Sequence, residues 1–273
     1  MTGPSIASQT GRASPDAPVI RIEHLVAGYG DRVILDDVSL EVRTGERFVI
    51  VGGSGCGKTT LLRNIIGLSR PMRGRVIVDG EDITDADEDR LRLMQRKIGV
   101  LFQSGALFAS LTLGENVALA LEEYTRLPPE MIALLVRIKL GMVKLAGFEQ
   151  FMIAELSGGM KKRAALARAM SLDPSILFFD EPSAGLDPVT SAEMDELIVQ
   201  VNRSLGTTIV AVSHELPSIF TIADRVIMLD GDAKQIIAEG DPRALREHPD
   251  PRVHAFFNRE PRRVPRGRAD DGH

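Results

Sequence analysis

Two periodicities run through the chain. "VIRIEHL" (19–25) and "VSLEV" (38–42) place apolar residues at every second position, which predicts strands with one buried face. "RFVIVG" (47–52) is a continuous apolar run ending in glycine, the pattern of a buried strand. "KTTLLRNIIGL" then puts Leu61, Leu62, Ile65 and Ile66 on one helical face and stops at Gly67. "GRVIVDG" and "IGVLF" predict further strands, and 113–150 reads as wholly helical with a break at Pro128–Pro129. Strands return at "SILFFDE", "TTIVAVS" and "RVIML". Between the first two, a helix has Asp187 as N-cap, Pro188 in its first turn and Gly206 at its end. Buried strands alternating with helices predict a mostly parallel sheet covered on both faces. The helical block at 104–156 interrupts that order and reads as an insert in an α/β core.

Composition narrows the function classes. Of the 273 residues 44% are hydrophobic and 26% charged, ordinary values for a globular chain. The longest apolar run, Met131–Val136, is far short of the ~20 residues of a membrane-crossing helix. A net charge of −5 and the absence of Trp argue against a nucleic-acid partner. The lone cysteine cannot form an internal disulfide and fits a reducing compartment. Residues 1–18 hold thirteen Gly, Pro, Ser, Thr or Ala, which predicts a solvated tail rather than a secretory signal. The segment 259–273 is basic and then acidic, with five Arg against one Glu in 259–268. It reads as a solvated tail, with a contact to anionic headgroups or an acidic partner as the alternative. His24, His248, His254 and His273 show no metal-ligand spacing.

Chemistry gathers at three places. "GGSGCGKTT" fits the phosphate-loop pattern, with Gly52, Gly57, Lys58 and Thr59 in its fixed positions and Gly53, Ser54, Gly55, Cys56 and Thr60 completing it. A buried strand before it and an amphipathic helix after it are the context this motif demands. Glycines let successive N–H groups face phosphate oxygens, Lys58 should reach the β- and γ-phosphates, and Thr59 should hold Mg²⁺. Cys56 is a small residue in a free position of the loop. "SILFFDE" ends in Asp180, placed to hold Mg²⁺, and Glu181, which diverges from it toward the attacking water. "LSGGM" opens another helix at Ser157, where Gly158 and Gly159 leave N–H groups bare. Lys161, Lys162 and Arg163 oppose that helix's dipole, a conflict that bound phosphate or solvent would relieve.

In this order the motifs resemble those of the ATP-binding subunits of ABC transporters over residues 19–245. Residues 52–60 resemble the family's Walker A, "ILFFDE" its Walker B and "LSGGM" its signature, with Met160 in place of glutamine. Gln103 falls at the glutamine loop and "SAGLD", ending at Asp187, at the D-loop. His214 matches the switch histidine and Tyr29 the aromatic position that stacks on adenine. The resemblance implies a RecA-like P-loop NTPase core with an antiparallel β subdomain and an inserted helical subdomain. The ATPase domain would span 19–258 and its helical subdomain about 104–165. It implies ATP as substrate, with Glu181, His214 and Gln103 catalytic and Thr59, Gln103 and Asp180 holding Mg²⁺. Two copies would face head to tail, each ATP held by one Walker A and the other chain's signature, Ser157, Gly158 and Gly159, with Asp187 also counted as ATP-binding. "LFQSGALF", "RAALARA" and "DPRVHAFF" narrow the resemblance to the ATPases of Mla-type phospholipid transport systems, which work with Mce proteins. That implies an MlaE-type integral-membrane permease, an Mce-domain protein and a small STAS-domain subunit, at the cytoplasmic face of the inner membrane. Leu107 and Phe108 would be either core or part of the permease groove. The alternatives are an ABC ATPase for another solute, a DNA- or ribosome-directed ATPase and a P-loop kinase. The second of these would carry long coiled coils or tandem cassettes, which the sequence lacks, and the last would not need "LSGG".

Overall fold

Alternating burial sorts the strands into two sheets. The computed structural model describes residues 18–261, so most of both terminal segments lies outside the described residues. β1 (Pro18–Tyr29) starts one residue inside the stretch read as a tail. It pairs antiparallel with β2 (Arg32–Arg43) and with β4 (Arg73–Val78), which takes the two-residue β5 (Glu81–Asp82) on its far edge. The second sheet holds β3 (Arg47–Gly52), β6 (Ile98–Leu101), β7 (Ile176–Asp180), β8 (Thr208–Val212), β9 (Arg225–Asp230) and β10 (Gln235–Gly240). Its order is β10-β9-β3-β8-β7-β6, with every pair parallel except the β10 edge.

Period-2 patterning explains why this sheet has a core on each face. Val49, Val51, Leu177, Phe179, Ile209 and Ala211 point into one cluster. Their neighbours Phe48, Ile50, Ile176, Phe178, Val210 and Val212 point into the other. The second cluster is closed by the antiparallel sheet and by α1 (Lys58–Ile65), through Leu61, Leu62 and Ile65. The first is closed by α5 (Gly158–Ala169), α6 (Pro188–Leu205), α7 (Leu216–Ile222) and α8 (Pro251–Asn258). Each fully buried large side chain, such as Phe178, contributes about 1.5–3 kcal/mol through burial.

The remaining helices follow local signals. α3 (Leu113–Tyr124) starts in a capping box: Glu115 N–H donates to Thr112 Oγ1, and Thr112 N–H donates to Glu115 Oε2. α4 (Pro129–Met142) begins directly after the Pro128 break. The expectation of helix through 150 is wrong beyond Met142. Lys144 (φ 59°) and Gly147 (φ 87°) adopt left-handed backbone, which a helix does not continue through. α2 (Glu88–Gln95), which periodicity missed, buries only Met94, and its start is marked by Asp87 accepting from Arg90 N–H. No helix among the described residues is long and apolar enough to cross a membrane.

Candidate nucleotide site

β3 delivers the chain into the phosphate loop at the carboxyl end of the parallel sheet, where open α/β folds bind ligands. Two glycines there are sterically required. A Cβ on Gly52 (φ 146°) would stand 2.4 Å from the Leu229 carbonyl oxygen and 2.6 Å from Cys56 Sγ. One on Gly57 (φ 103°) would strike Leu35 at 2.7 Å. Gly57 is also the N-cap of α1, whose first turn has no side-chain cap and no acidic residue. Its leading N–H groups are therefore available to an anion, and the dipole adds to the attraction. Lys58 Nζ arches back over the loop, donating to the Gly52 and Gly53 carbonyls at 3.0 Å each. Ser54, Gly55 and Thr59 are exposed, whereas Thr60 is buried and its hydroxyl donates to Tyr29 Oη at 3.4 Å. Tyr29 is 52% exposed, so its ring is open beside the loop. That hydroxyl contact and nearby Arg63 pull the Tyr29 phenol below its ordinary range.

β7 brings the two acids to the same edge of the sheet. Burial, reinforced by the neighbouring Glu181 charge, pushes the Asp180 carboxyl above its ordinary range, against the pull of Lys58 and Lys162. A carboxylate in that setting gains from a bound cation. The other two residues expected to hold Mg²⁺, Thr59 and Gln103, are exposed. Among the described residues no group of three or more His, Cys, Asp or Glu could hold a metal. Glu181 has a left-handed backbone (φ 53°), uncommon for a non-glycine residue and typical of functional sites. Its Oε1 lies 2.8 Å from His214 Nδ1, so the expected base and the expected switch histidine form a pair.

Ser157 caps α5 by accepting from Met160 N–H at 3.2 Å, which occupies one of the expected anion donors. Ser157 and Gly158 are exposed, but Gly159 is buried, and a Cβ there would meet Thr190 of α6 at 2.5 Å. Asp187 caps α6, accepting from the Val189 and Thr190 N–H groups at 3.1 Å and from the Thr190 hydroxyl at 2.5 Å, bonds that hold its pKa below the ordinary carboxylate range. A cleft of about 960 Å³ beside the phosphate loop is walled by Gly53, Ser54, Cys56 and His214. Ser157, Gly158 and Asp187 are not in that wall.

Three features escaped the sequence reading. Lys162 is buried, and its Nζ donates to the carbonyls of Gln103 and Glu181. Arg168 donates to the carbonyls of Gly105 and Ala106. Asn116, fully buried, fixes the segment after Gln103: its amide donates to the Phe108, Leu111 and Thr112 carbonyls and accepts from Phe108 N–H. That anchoring separates two residues read as a pair, since Leu107 packs on the core while Phe108 is 51% exposed.

The phosphate loop follows β3 and the acid pair stands at the end of β7, two strands along in the parallel sheet, and the glycine-led α5 reaches the acid pair through Lys162. The model of the ABC transporter family matches residues 35–184, more than half of the 273-residue chain. The chain belongs to that family, as an ATP-binding cassette that hydrolyses ATP. Among named relatives, it is similar to the intermembrane phospholipid transport system ATP-binding protein MlaF of Escherichia coli K12, 44% identical over 84% of each chain. It is also similar to the probable ribonucleotide transport ATP-binding protein mkl of Mycobacterium tuberculosis, 39% identical over 91% of this chain and 71% of that one. Among solved structures it resembles the ATP-binding cassette MJ0796, captured as a dimer in a post-hydrolysis state with ADP and Pi. The TM-score is 0.74 at 31% identity, covering 81% of this chain and 98% of that one.

Proposed function

We propose that this chain powers phospholipid movement between membranes, as the ATPase of a transporter with an MlaE-type permease, an Mce-domain protein and a small STAS-domain subunit. The likeness to MlaF along most of both chains supports the lipid reading. For the chemistry, the observation that carries it is the 2.8 Å contact of Glu181 with His214 at the strand end beside the phosphate loop. In this reading the loop N–H groups and Lys58 bind the β- and γ-phosphates, and Tyr29 stacks on adenine. Thr59, Gln103 and Asp180 would hold Mg²⁺, which would supply positive charge to the phosphate oxygens. Glu181 accepts a proton from the attacking water, and His214 keeps the Glu181 carboxylate aimed.

The site is half-built in one chain. Tyr29, Ser157 and Gly158 are all exposed, so a second copy arranged head to tail would cover each nucleotide with its own Ser157, Gly158, Gly159 and Asp187. The dimeric MJ0796 cassette supports that arrangement. The ATPase unit is taken as 19–258, with a helical subdomain over about 104–165. Its permease contact is assigned to the apolar groove of about 360 Å³ lined by Val100, Phe108, Leu119 and Leu172. A helix of the permease would lie there, placing the chain peripherally at the cytoplasmic face of the inner membrane.

Affinity purification from detergent-solubilised membranes, with mass spectrometry of proteins and small molecules, tests the assignment. An integral-membrane permease, an Mce-domain protein and bound phospholipid are expected. Ribonucleotide in place of lipid would favour the reading suggested by mkl, which is 39% identical. A permease without any Mce-domain protein would refute the proposal.

A further inference from the structure

We propose that Lys162 is a positioning residue for ATP hydrolysis: its buried ammonium ties the Gln103 carbonyl to the Glu181 carbonyl and so holds the glutamine loop and the catalytic base in one geometry. The inference rests on the roles given above to Gln103 and Glu181. Lys162 is 8% exposed, on the face of α5 turned toward the sheet. Its Nζ donates to Gln103 O, and to Glu181 O at 3.4 Å.

Both acceptors lie in backbone that needs outside support. Past Gln103, Gly105 (φ 74°) and Ala106 (φ 49°) are left-handed, and Arg168, six residues beyond Lys162, donates to both their carbonyls. α5 therefore grips the loop at two points. Glu181 is left-handed as well, a state that persists in a non-glycine residue only when its surroundings over-determine it. Glu181 N–H donates to Val212 O at 3.0 Å, and Glu181 O accepts from Ala184 N–H at 3.2 Å as well as from Lys162. This backbone aims the carboxylate at His214. Since α5 opens at Ser157, the same helix that presents the signature also carries the tie.

Lys162 could instead serve only as a counter-charge, because Glu181, Asp180 and Glu215 all act on it electrostatically and burial lowers its pKa. The two roles separate by substitution. A counter-charge is lost equally in Lys162→Met and Lys162→Gln, whereas a carbonyl tie is partly kept by a glutamine amide and largely kept by arginine.

The test uses the full-length chain purified with its membrane partners, measuring kcat, KM and ATP affinity together with Tm. Lys162→Met should lower kcat about 10- to 100-fold, the scale of a misplaced catalytic group, with KM and ATP affinity within about twofold of wild type. Lys162→Gln should lose about three- to tenfold, and Lys162→Arg should stay within about threefold. A folded methionine variant with wild-type kcat would overturn the proposal, as would a loss confined to KM, or a folded Gln variant as slow as Met whatever the rate of Arg. If the methionine variant does not fold, Lys162→Ala takes its place: Gln faster than Ala at unchanged KM and Tm supports the tie, and Gln as slow as Ala, or wild-type kcat in Ala, refutes it. Glu181→Gln run in parallel keeps the parent reading separate, since wild-type turnover there would remove the base assignment itself.

Discussion

Phe108→Asp and Leu107→Asp, made separately, should give opposite phenotypes. Phe108 is 51% exposed, on a segment whose backbone Asn116 holds from within the core. A phenylalanine carries roughly 200 Å² of surface, so about 100 Å² remains for a partner to cover. At about 25 cal/mol/Å² that contact contributes about 2.5 kcal/mol, close to 70-fold in a dissociation constant. The aspartate variant should keep its Tm and its ATP affinity and lose most of its permease in co-purification. Leu107 packs on the core with α3 and α5. A carboxylate there costs about 3 kcal/mol or more, which for a chain of this size lowers Tm by about 6–12 °C. Differential scanning fluorimetry, a direct nucleotide-binding assay and pull-down from solubilised membranes read the three quantities. A stable Phe108→Asp chain that still retains its permease would refute the docking role. Equal loss of Tm in the two variants would refute the division between core and surface.

Three further outcomes follow from the site. Glu181→Gln should bind ATP with wild-type affinity, fall about 100-fold or more in turnover, and form an ATP-dependent dimer visible by size-exclusion chromatography; wild-type turnover would remove the base role. Cys56 is 3% exposed, and burial pushes its thiol above the ordinary range, so maleimide should label it only as fast as the native state opens. Labelling of the folded chain as fast as a free thiol would show that the loop is open to reagents. Asn116→Ala leaves Phe108 N–H and Leu111 O without the amide, because Phe108 O also accepts from Leu111 N–H and Thr112 O from Asn116 N–H. The expected loss is about 2–3 kcal/mol, seen as a Tm about 4–12 °C lower with ATP affinity unchanged; a Tm within 1 °C of wild type, on the order of the measurement's own scatter, would count against the anchor.

What could be read in advance and what could not divide along physical lines. The phosphate loop was legible because its constraint is local: Gly52 and Gly57 adopt backbone that a side chain cannot share with Leu229 and Leu35. The strands were legible because burial on both faces demands unbroken apolar runs, and "ILFFD" is one. Helix α6 was legible at both ends, since Asp187, Pro188 and Gly206 are each suited to one cap position. The overextended helix after Met142 failed for the converse reason: residues 143–150 are still apolar enough to look periodic, and the left-handed Lys144 that ends the run carries no composition signal. α2 was missed because it lies on the surface with one buried residue, leaving only the Asp87 cap to mark it.

Lys162 shows why the site itself was harder to read than its motifs. Along the sequence it is the second of three cations in the first turns of a helix, where positive charge is unfavourable. Its acceptors are the carbonyls of Gln103 and Glu181, 59 and 19 residues away, and a backbone carbonyl leaves no trace in sequence. The same holds for Arg168 on Gly105 and Ala106, and for Asn116 beneath Phe108. A motif is legible because the identity and spacing of its own residues carry it, as Gly52, Gly57, Lys58 and Thr59 do. Each residue that holds a motif in place faces inward to backbone, so its chemistry appears only once the strands and helices have met. A charged or amide side chain on the buried face of a helix that opens with a phosphate-binding motif is therefore the place to look for the parts that make such a site rigid.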